Sequence, residues 1–531
     1  MHLHLQPGED HHAAAALHAL FFVGIVCACL WCDFQIKKRQ IFLFPESAAS
    51  MVLGFLLGGL VVWFSSNNTE ADVVKFDGML FFFILLPPIV FEAGYTLDRQ
   101  AFFSNIGSIF VYAVIGTSLS TVIVGYGLYS AAVQGLVPLN SNNALEALMF
   151  GSLISATDPV ATLTLLGSPN IGAPKLLYAL VFGEAVLNDA VAIVLYKTFE
   201  GFLSAPFSNA TIFYAFTKFI FISVGSVVLG FVIAIFASWV FRRAEYLKQL
   251  PQMEISLVLL FAYSSYFAAE VFGLSGIMSL FFCSIALAHY NFKNLSEGTQ
   301  HTTHLYFKSM AQICDTFVFA YLGITIGVSI DPQSGYMLTW SLPLIGITLA
   351  LCFVGRASNV FPLTWVLNRV RMTPIDHRNQ IMMWFAGLRG AIAFALALQV
   401  NTEHASEIVT TTLAIVLFTT FVCGGLSEPL LRVLELKNFV EPPAAMGADG
   451  LLLDAPRGLV RFWLIFDNTY MKRWFGGEIN AEYSLVELTE EEKATAGDSH
   501  GAHGGAAHHD DHAHGAAAEA HDADLEAAAA H

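Results

Sequence analysis

Long apolar runs dominate the chain from residue 13 to residue 434. A helix needs about 20 mostly apolar residues to span a bilayer, and about thirteen runs of this kind follow one another. They cover residues 13–33, 41–64, 77–97, 102–133, 144–167, 174–203, 211–241, 253–271, 273–291, 305–330, 336–367, 377–400 and 406–434. With 56% hydrophobic and 13% charged residues, the chain is not a soluble protein with one large core. The sequence predicts an all-α polytopic membrane protein.

Composition divides the chain into three parts. Residues 1–440 form the membrane domain. Residues 441–486 form a cytoplasmic segment, in which the aromatic and basic stretch 456–475 is typical of an interfacial helix that contacts membrane lipids. Residues 487–531 are acidic and rich in His and Ala, which predicts a disordered tail. The histidines of this tail either solvate it or sense pH or bind metal. Much of the net charge of −17 lies after Glu441, and no basic stretch indicates a nucleic-acid partner.

Lysine and arginine residues are distributed asymmetrically between alternate loops. One set of loops contains nearly all of them, and the other contains essentially only Lys75. The positive-inside rule then places the N-terminus outside or in a lumen and the C-terminus in the cytoplasm. The glycosylation sequons at Asn67 and Asn209 fall in loops of the lumenal set, which agrees and predicts a glycoprotein. No basic region precedes the first apolar run, so we expect a retained span and not a cleaved signal peptide.

The run at 174–203 contains three polar residues, Glu184, Asn188 and Asp189. Carboxylates at membrane depth are costly and usually mark an ion pathway or a proton relay. Glu184 and Asn188 are four residues apart and share one helix face, whereas Asp189 lies about 100° further round. Asp189 is the best candidate for the exchanging group, because a buried carboxylate holds either a proton or a small cation.

Two other apolar runs are interrupted. The first interruption is Thr157-Asp158-Pro159, and the second is the glycine-rich stretch 387–390, which contains Arg389. Proline removes a backbone donor and breaks a helix, and paired interrupted spans indicate an inverted-repeat transporter with a binding site near the membrane midplane. Asp158 either offsets the positive ends of half-helices or ligates the ion. Asp189 and Asp158 would then form a transient Na⁺ or K⁺ site, completed by the hydroxyl of Thr157 and by backbone carbonyls.

The remaining ionisable residues in the apolar runs have a structural or a cavity-lining role. Glu184 needs a cationic partner, because an unpaired buried charge is strongly destabilising. Arg356 is the natural partner, and the alternative is that it extends to a membrane interface. Glu92, Glu270 and Arg389 are expected to line a cavity or to form pairs, and Asp315 belongs to the same class.

The seven cysteines all fall in apolar runs. Cys27, Cys29 and Cys32 are spaced closely enough to suggest a metal site, but a helical, apolar setting favours packing. We expect no cofactor beyond the transported cation and proton.

The chain resembles the eukaryotic sodium/proton exchangers of the cation/proton antiporter superfamily over residues 15–480. The motifs that carry the resemblance are residues 86–95 (LPPIVFEAGY), 155–160 (SATDPV), 182–189 (FGEAVLND), 274–277 (LSGI) and 387–394 (GLRGAIAF).

The resemblance implies a homodimer in which a core domain moves against a dimerisation domain. It implies an ion site near Asp158, Asn188 and Asp189, and a Glu184–Arg356 ion pair. It also implies electroneutral exchange, because Asn188 stands where electrogenic relatives have a second Asp.

Two positions depart from the family pattern. Ala185 replaces a serine, which removes a hydroxyl from the neighbourhood of the ion. Gly273 replaces a histidine seen in some relatives beside the acidic position of Glu270, so their inhibitor sensitivity does not carry over. The post-membrane stretch is similar to that of the endosomal and Golgi subgroup, which favours an organelle membrane over the plasma membrane and suggests cytosolic regulators at the tail.

Three other functions are alternatives to antiport. An intramembrane aspartyl protease also uses two carboxylates that share a proton, but the chain has no Gly-x-Gly-Asp signature. A cation channel and a non-transporting pH sensor of the same fold are compatible with the sequence. Coupled counter-transport distinguishes antiport from all three.

Overall fold

The computed structural model describes residues 7–39, 45–64, 80–158, 166, 172–203, 209–329, 339–371, 373–436 and 466–477. The predictions for Pro159, Lys75, Asn67, the tail 487–531 and most of 441–486 lie outside these residues. The described part consists of helices and connecting loops, and it contains no β-strand. This agrees with the all-α fold class that the apolar runs predict.

Fifteen helices, α1 to α15, build the membrane domain within the described ranges. They are α1 Pro7–Arg39, α2 Glu46–Phe64, α3 Phe81–Tyr95, α4 Arg99–Ser104, α5 Ile106–Val133, α6 Leu145–Ser155, α7 Lys175–Leu203, α8 Asn209–Arg243, α9 Pro251–Val271, α10 Gly276–Ala286, α11 Glu297–Ser329, α12 Leu342–Leu367, α13 His377–Phe385, α14 Ala391–Ala397 and α15 Ala405–Val433. Helix α10 continues into a π-helical turn at Leu287–Asn291.

Local capping explains where several of these helices begin. Asp98 precedes α4 and accepts a hydrogen bond from the backbone N–H of Ala101, and Ser275 does the same for Met278 at the start of α10. Pro251 stands at the first position of α9, where its missing N–H is not needed. These signals are local, so the ends of the helices follow the sequence closely.

Seven of the described helices, α5, α7, α8, α9, α11, α12 and α15, are long and apolar enough to cross a membrane, and α2, α3 and α6 are shorter apolar helices. Each predicted apolar run contains at least one helix. The run at 102–133 is not a single helix, because the chain breaks at Asn105, whose side chain binds the carbonyl of Ala101 at 2.8 Å. A local side-chain bond to the backbone competes there with the helical hydrogen bond.

The helices form two sets that pack mainly within themselves. The first helix set comprises α1–α3 and α8–α11, and the second comprises α4–α7 and α12–α15. The predicted ion-binding residues lie on α7 and directly after α6, and both helices belong to the second set. Each set therefore combines helices from both halves of the sequence.

Glycines bring α2 and α11 into close contact in the first set. Gly54 and Gly58 lie against the backbone of α11, while Gly323 and Gly327 lie against the backbone of α2. A Cβ atom at Gly54 would lie 1.9 Å from the carbonyl oxygen of Ala320. Both pairs are spaced by four residues, the spacing at which small residues let membrane helices approach.

Candidate functional site

The candidate site is centred on the point where α6 ends and α14 begins. Helix α6 ends at Ser155 and is followed by extended backbone, and residues 387–390 before α14 are also non-helical. The two stretches meet, because the N–H of Asp158 donates to the carbonyl of Leu388 at 3.0 Å. A Cβ atom at Gly390 would lie 2.1 Å from the Cβ of Asp158, so only glycine permits this approach. Two stretches more than 200 residues apart in sequence therefore share one place.

Asn188 on α7 binds this junction directly. Its Nδ2 donates to Oγ1 of Thr157 at 2.9 Å and to the carbonyl of Ser155 at 3.2 Å. Asn188 is 1% exposed, and its Oδ1 has no hydrogen-bond donor within the described chain. A buried amide oxygen without a donor is available to a cation.

Asp189 is the next residue of α7, and it is half-buried. Its carboxylate interacts electrostatically with that of Asp158. The two carboxylates, the hydroxyl of Thr157 and the free amide oxygen of Asn188 gather hard oxygen ligands, which suit a monovalent cation or a proton. The structure thus brings together all four residues predicted for ion binding.

Arg389, which is buried, also binds this junction through its guanidinium group. Its Nη1 donates to the carbonyls of Ser155 at 2.9 Å and Ala156 at 3.2 Å, at the C-terminal end of α6. A positive charge there complements the unpaired carbonyls and the negative end of the helix dipole. Arg389 shares the carbonyl of Ser155 with Asn188, so it positions the backbone that Asn188 binds.

Glu184 and Arg356 form a buried bidentate ion pair between α7 and α12. Nη1 of Arg356 contacts Oε1 of Glu184, and Nη2 contacts Oε2 at 2.9 Å. The side chains are 1% and 6% exposed. Asn359 donates to Glu184 at 3.1 Å, and Arg356 also donates to the carbonyl of Met383. Both charges are therefore paired, and their remaining hydrogen-bonding groups have further partners.

Asp315 of α11 belongs to the first helix set but interacts with the site, and Glu92 of α3 lies near Asp315. The carboxylate of Asp315 interacts electrostatically with those of Asp158 and Glu92. Glu92 also accepts a hydrogen bond from Thr96. Asp315 stood out in the sequence only as one more carboxylate in an apolar run, and no local signal linked it to Asp158.

Glu270 lies in a different place, at a cavity of about 430 Å³ between the two helix sets. Its Oε1 accepts from the N–H of Gly276 at 3.1 Å, and Lys197 of α7 lies 3.8 Å from its Oε2. Lys218 also lines this cavity. The lining of this cavity includes Glu270 but neither Glu92 nor Arg389.

The cysteines contribute no metal centre within the described ranges. Cys27, Cys29 and Cys32 are free thiols of α1, and no group of three or more His, Cys, Asp or Glu side chains is arranged to hold a metal ion there.

Comparison with known proteins identifies the family. Residues 23–433 match the family described as sodium/hydrogen exchanger, transmembrane. The chain belongs to the sodium/hydrogen exchanger family. It is a multi-pass membrane transporter that exchanges sodium ions for protons, and it is not an enzyme.

Named relatives agree with this assignment. The chain is 35% identical over 448 residues to Sodium/hydrogen exchanger 8 of Homo sapiens, which covers 82% of this chain and 75% of the human protein. It is 36% identical over 431 residues to Sodium/hydrogen exchanger 9 of Homo sapiens, covering 76% and 65% respectively.

The exchanger also matches a solved structure, that of the sodium proton antiporter MjNhaP1 from Methanocaldococcus jannaschii at pH 8. The TM-score is 0.59 at 16% identity, and the match covers 80% of this chain and 99% of the other. At this identity the match shows the fold alone. The exchanger therefore has the fold of this antiporter.

Proposed function

We propose that this exchanger swaps one Na⁺ or K⁺ for one H⁺ by alternating access, with Asp189 as the group that binds either ion. The observation that carries the proposal is the cluster of oxygen ligands around Asp189, in which Asn188 has a free, buried Oδ1. A carboxylate that holds a proton or a cation, but not both, couples the two fluxes. Thr157 and Asp158 complete the shell.

Electroneutrality follows from the number of titrating groups. In the proposed cycle Asp189 releases one positive charge for each one that it binds. The Glu184–Arg356 pair is net neutral, and in the proposed cycle it only holds α7 and α12 in register. Asp158 acts through its charge, and it would make transport voltage-dependent only if it titrated as well.

The architecture proposed for this cycle has about thirteen crossings in two inverted repeats, each with one broken helix at the site. Two non-helical stretches support this topology: residues 156–158, which follow the end of α6, and residues 387–390, which precede the start of α14. The two helix sets support a division into a dimerisation part and a moving core part. Glu270 and Lys197 lie 3.8 Å apart in the lining of the cavity between these sets, which suits an entrance for the cation.

The proposed assembly and location extend the same comparison. We expect a homodimer in an endosomal or Golgi membrane, with the plasma membrane as the second candidate and the C-terminus in the cytoplasm. Phe466, Tyr470 and Trp474 are exposed at intervals of four residues, as expected for contact with lipids at the membrane surface. Cytosolic regulators would bind further along the tail.

The proposal is tested by proton flux in proteoliposomes at clamped membrane voltage, with Na⁺ or K⁺ gradients. Wild-type protein should exchange either cation for protons at a rate independent of voltage. Asp189→Asn should abolish exchange in a folded protein, whereas Glu435→Gln, an exposed charge on the same domain, should leave it unchanged.

Each alternative predicts a distinct result. Normal exchange by folded Asp189→Asn would refute the site. Voltage-dependent flux would mean that a second group titrates, and Asp158→Asn should then remove the dependence. Uncoupled cation flux would indicate a channel, and the absence of flux would indicate a sensor.

A further inference from the structure

The two helix sets meet at α4, the short helix that connects α3 of the first set to α5 of the second. Two side chains of α4, those of Arg99 and Phe102, contact α10 of the first set and the turn that follows it. We call this the α4 contact, and it consists of Arg99 and Phe102 with Ala288 and Phe281.

The α4 contact and the cavity at Glu270 lie on opposite sides of the candidate ion site along α7. Lys197, in the cavity lining, comes eight residues after Asp189, and Gly183, which packs against Phe102, comes six residues before it. At a rise of about 1.5 Å per residue, the cavity is about 12 Å from the level of Asp189 in one direction, and the contact is about 9 Å away in the other.

The charges of the loops assign these two places to opposite sides of the membrane. Arg99 and Lys293 belong to the loops that are rich in Lys and Arg, which the positive-inside rule places in the cytoplasm. Gly273 and Leu274 line the cavity and lie in the loop between α9 and α10, which belongs to the other set of loops. The cavity therefore faces the lumen or the outside, and the α4 contact faces the cytoplasm.

Arg99 caps the end of α10 from the neighbouring helix set. Its Nη1 donates to the carbonyl of Ala288 at 2.5 Å, and Ala288 lies in the turn Leu287–Asn291 that continues α10. Carbonyls at the end of a helix lack partners within the helix, and a positive charge complements the negative end of the helix dipole. This bond joins the second set to the first, so it depends on the relative position of the two sets.

Phe102 fills the same contact with an apolar ring. Its side chain is fully buried, and its ring meets that of Phe281 on α10 edge to face, with 6.1 Å between the centroids. On its other side Phe102 lies against α7, because a Cβ atom at Gly183 would be 2.9 Å from Cε2 of Phe102. One ring thus occupies the space between α10 and the residue before Glu184, where close apolar packing excludes a hydrated cation.

Other contacts fix α4 to the second set. Asp98 caps the helix by accepting a hydrogen bond from the N–H of Ala101. Arg371, which follows α12, donates to Oγ of Ser108 at 2.6 Å and to Oδ1 of Asn105 at 2.8 Å. Helix α4 therefore moves with the second set, and a movement of this set against the first must break the α4 contact.

The ion pair that links the two sets on the cavity side is weaker. Lys197 and Glu270 lie 3.8 Å apart, and their side chains are 56% and 31% exposed. Exposed pairs at this distance contribute little to stability, whereas Phe102 is fully buried and Arg99 is half-buried. The balance of these contacts favours the arrangement with an open cavity and a closed α4 contact.

We propose that Arg99 and Phe102 form the cytoplasmic gate of this exchanger, and that their contacts with Ala288 and Phe281 hold the ion site open towards the cavity. The inference rests on the proposed alternating access, because each cycle must open this gate to connect the site with the cytoplasm. Arg99 is a positioning residue, since it acts through the equilibrium between two arrangements of the helix sets and not through contact with the transported ion.

Arg99→Gln tests the gate through the apparent affinities on the two sides of the membrane. Loss of a hydrogen bond from a charged donor should shift the equilibrium by about tenfold or more towards the open gate. The apparent affinity on each side scales with the population that faces that side. The ratio of the cavity-side KM to the cytoplasmic KM for Na⁺ should therefore rise by about tenfold or more.

This ratio is measured in proteoliposomes of uniform orientation, at equal pH on both sides. Phe102→Leu keeps an apolar side chain but loses the contact between the two rings, so it should raise the ratio by about twofold or more. Arg378→Gln is the matched control, because it removes an exposed charge from the second set. It should leave the ratio unchanged.

A cross-link tests the gate without depending on a change in affinity. The double variant Arg99→Cys/Ala288→Cys places one thiol on each helix set, and a short bifunctional methanethiosulfonate joins the two thiols. Cross-linked protein should lose exchange and regain it when dithiothreitol cleaves the linker. The control Arg378→Cys/Glu435→Cys is cross-linked within the second set, so its exchange should not change. Wild-type protein treated with the same reagent corrects for the native cysteines.

Two results would overturn the proposal. One is an unchanged KM ratio in folded Arg99→Gln. The other is a folded Arg99→Cys/Ala288→Cys protein that does not cross-link, or that exchanges at the wild-type rate while it is cross-linked. Wild-type protein without any coupled exchange in the same proteoliposomes would instead refute the proposed function.

Discussion

Removal of Arg356 tests the electrostatic account of this exchanger most directly. Arg356→Met replaces the side chain with an unbranched apolar one. It removes the guanidinium group that binds Glu184 and the carbonyl of Met383. Glu184 then remains in a site where it is 1% exposed, with Asn359 as its remaining hydrogen-bond partner among the described contacts. The variant should be strongly destabilised.

The magnitude follows from burial. Breaking a buried ion pair from one side costs about 3–5 kcal/mol, because an uncompensated charge stays in the interior. Glu184→Gln should show a similar loss, since it leaves the Arg356 charge unpaired. The double variant Glu184→Gln/Arg356→Met has no buried charge at the site, so it should be more stable than either single variant. Charge reversal of both residues should recover less, because Met383 and Asn359 are arranged for the native orientation.

The assay is the apparent melting temperature of detergent-purified protein, read as loss of the monodisperse peak after heating. Arg378→Gln is the matched control. It breaks the exposed Arg378–Glu435 pair, and such pairs contribute about 0–1 kcal/mol. A double variant that melts below both single variants would refute the reasoning, as would an Arg356→Met protein as stable as the control.

Two further predictions concern packing and cation access. Gly323→Val should destabilise the protein by about 1–3 kcal/mol or more, because its side chain would enter the backbone of α2, whereas Gly59→Val, which faces open space, should be tolerated in the same melting assay. Lys197→Gln removes a positive charge 3.8 Å from Glu270. Because this charge repels an entering cation, the KM for the cation supplied from the cavity side should fall by at most about fivefold. The effect should be smaller at high salt. An unchanged KM, or an equal effect of the exposed control Lys248→Gln, would exclude this role.

Local patterns in the sequence predicted the helices well. The length of the apolar run predicted a helix over 174–203, and the structure has one from Lys175 to Leu203. The prediction is accurate because the length of a membrane helix depends on the thickness of the bilayer and not on how the helices pack. The run at 102–133 contains one spanning helix, but this helix begins only at Ile106, since the competing side-chain bond of Asn105 has no signature in hydropathy. The number of crossings stays a prediction.

Part of the site was also accessible from the sequence. Glu184 and Arg356 were matched because few basic residues lie in apolar runs, and a buried acid needs a base. The structure adds Asn359 and Met383, which neither charge nor spacing indicates. For Arg389 the sequence indicated only that it lines a cavity or forms a pair, and the structure shows that it donates to the carbonyls that end α6.

The sequence by itself determined that this chain is a helical membrane protein with costly carboxylates on particular helices, because the free energy of burying apolar and charged groups in a bilayer depends on residue type. The tertiary structure decided which of these groups meet. Asn188 reaches Thr157, Arg389 reaches Ser155 and Asp467 reaches Tyr290 across 31, 234 and 177 residues. Contacts over such separations depend on how helices pack, and no local period in the chain encodes them.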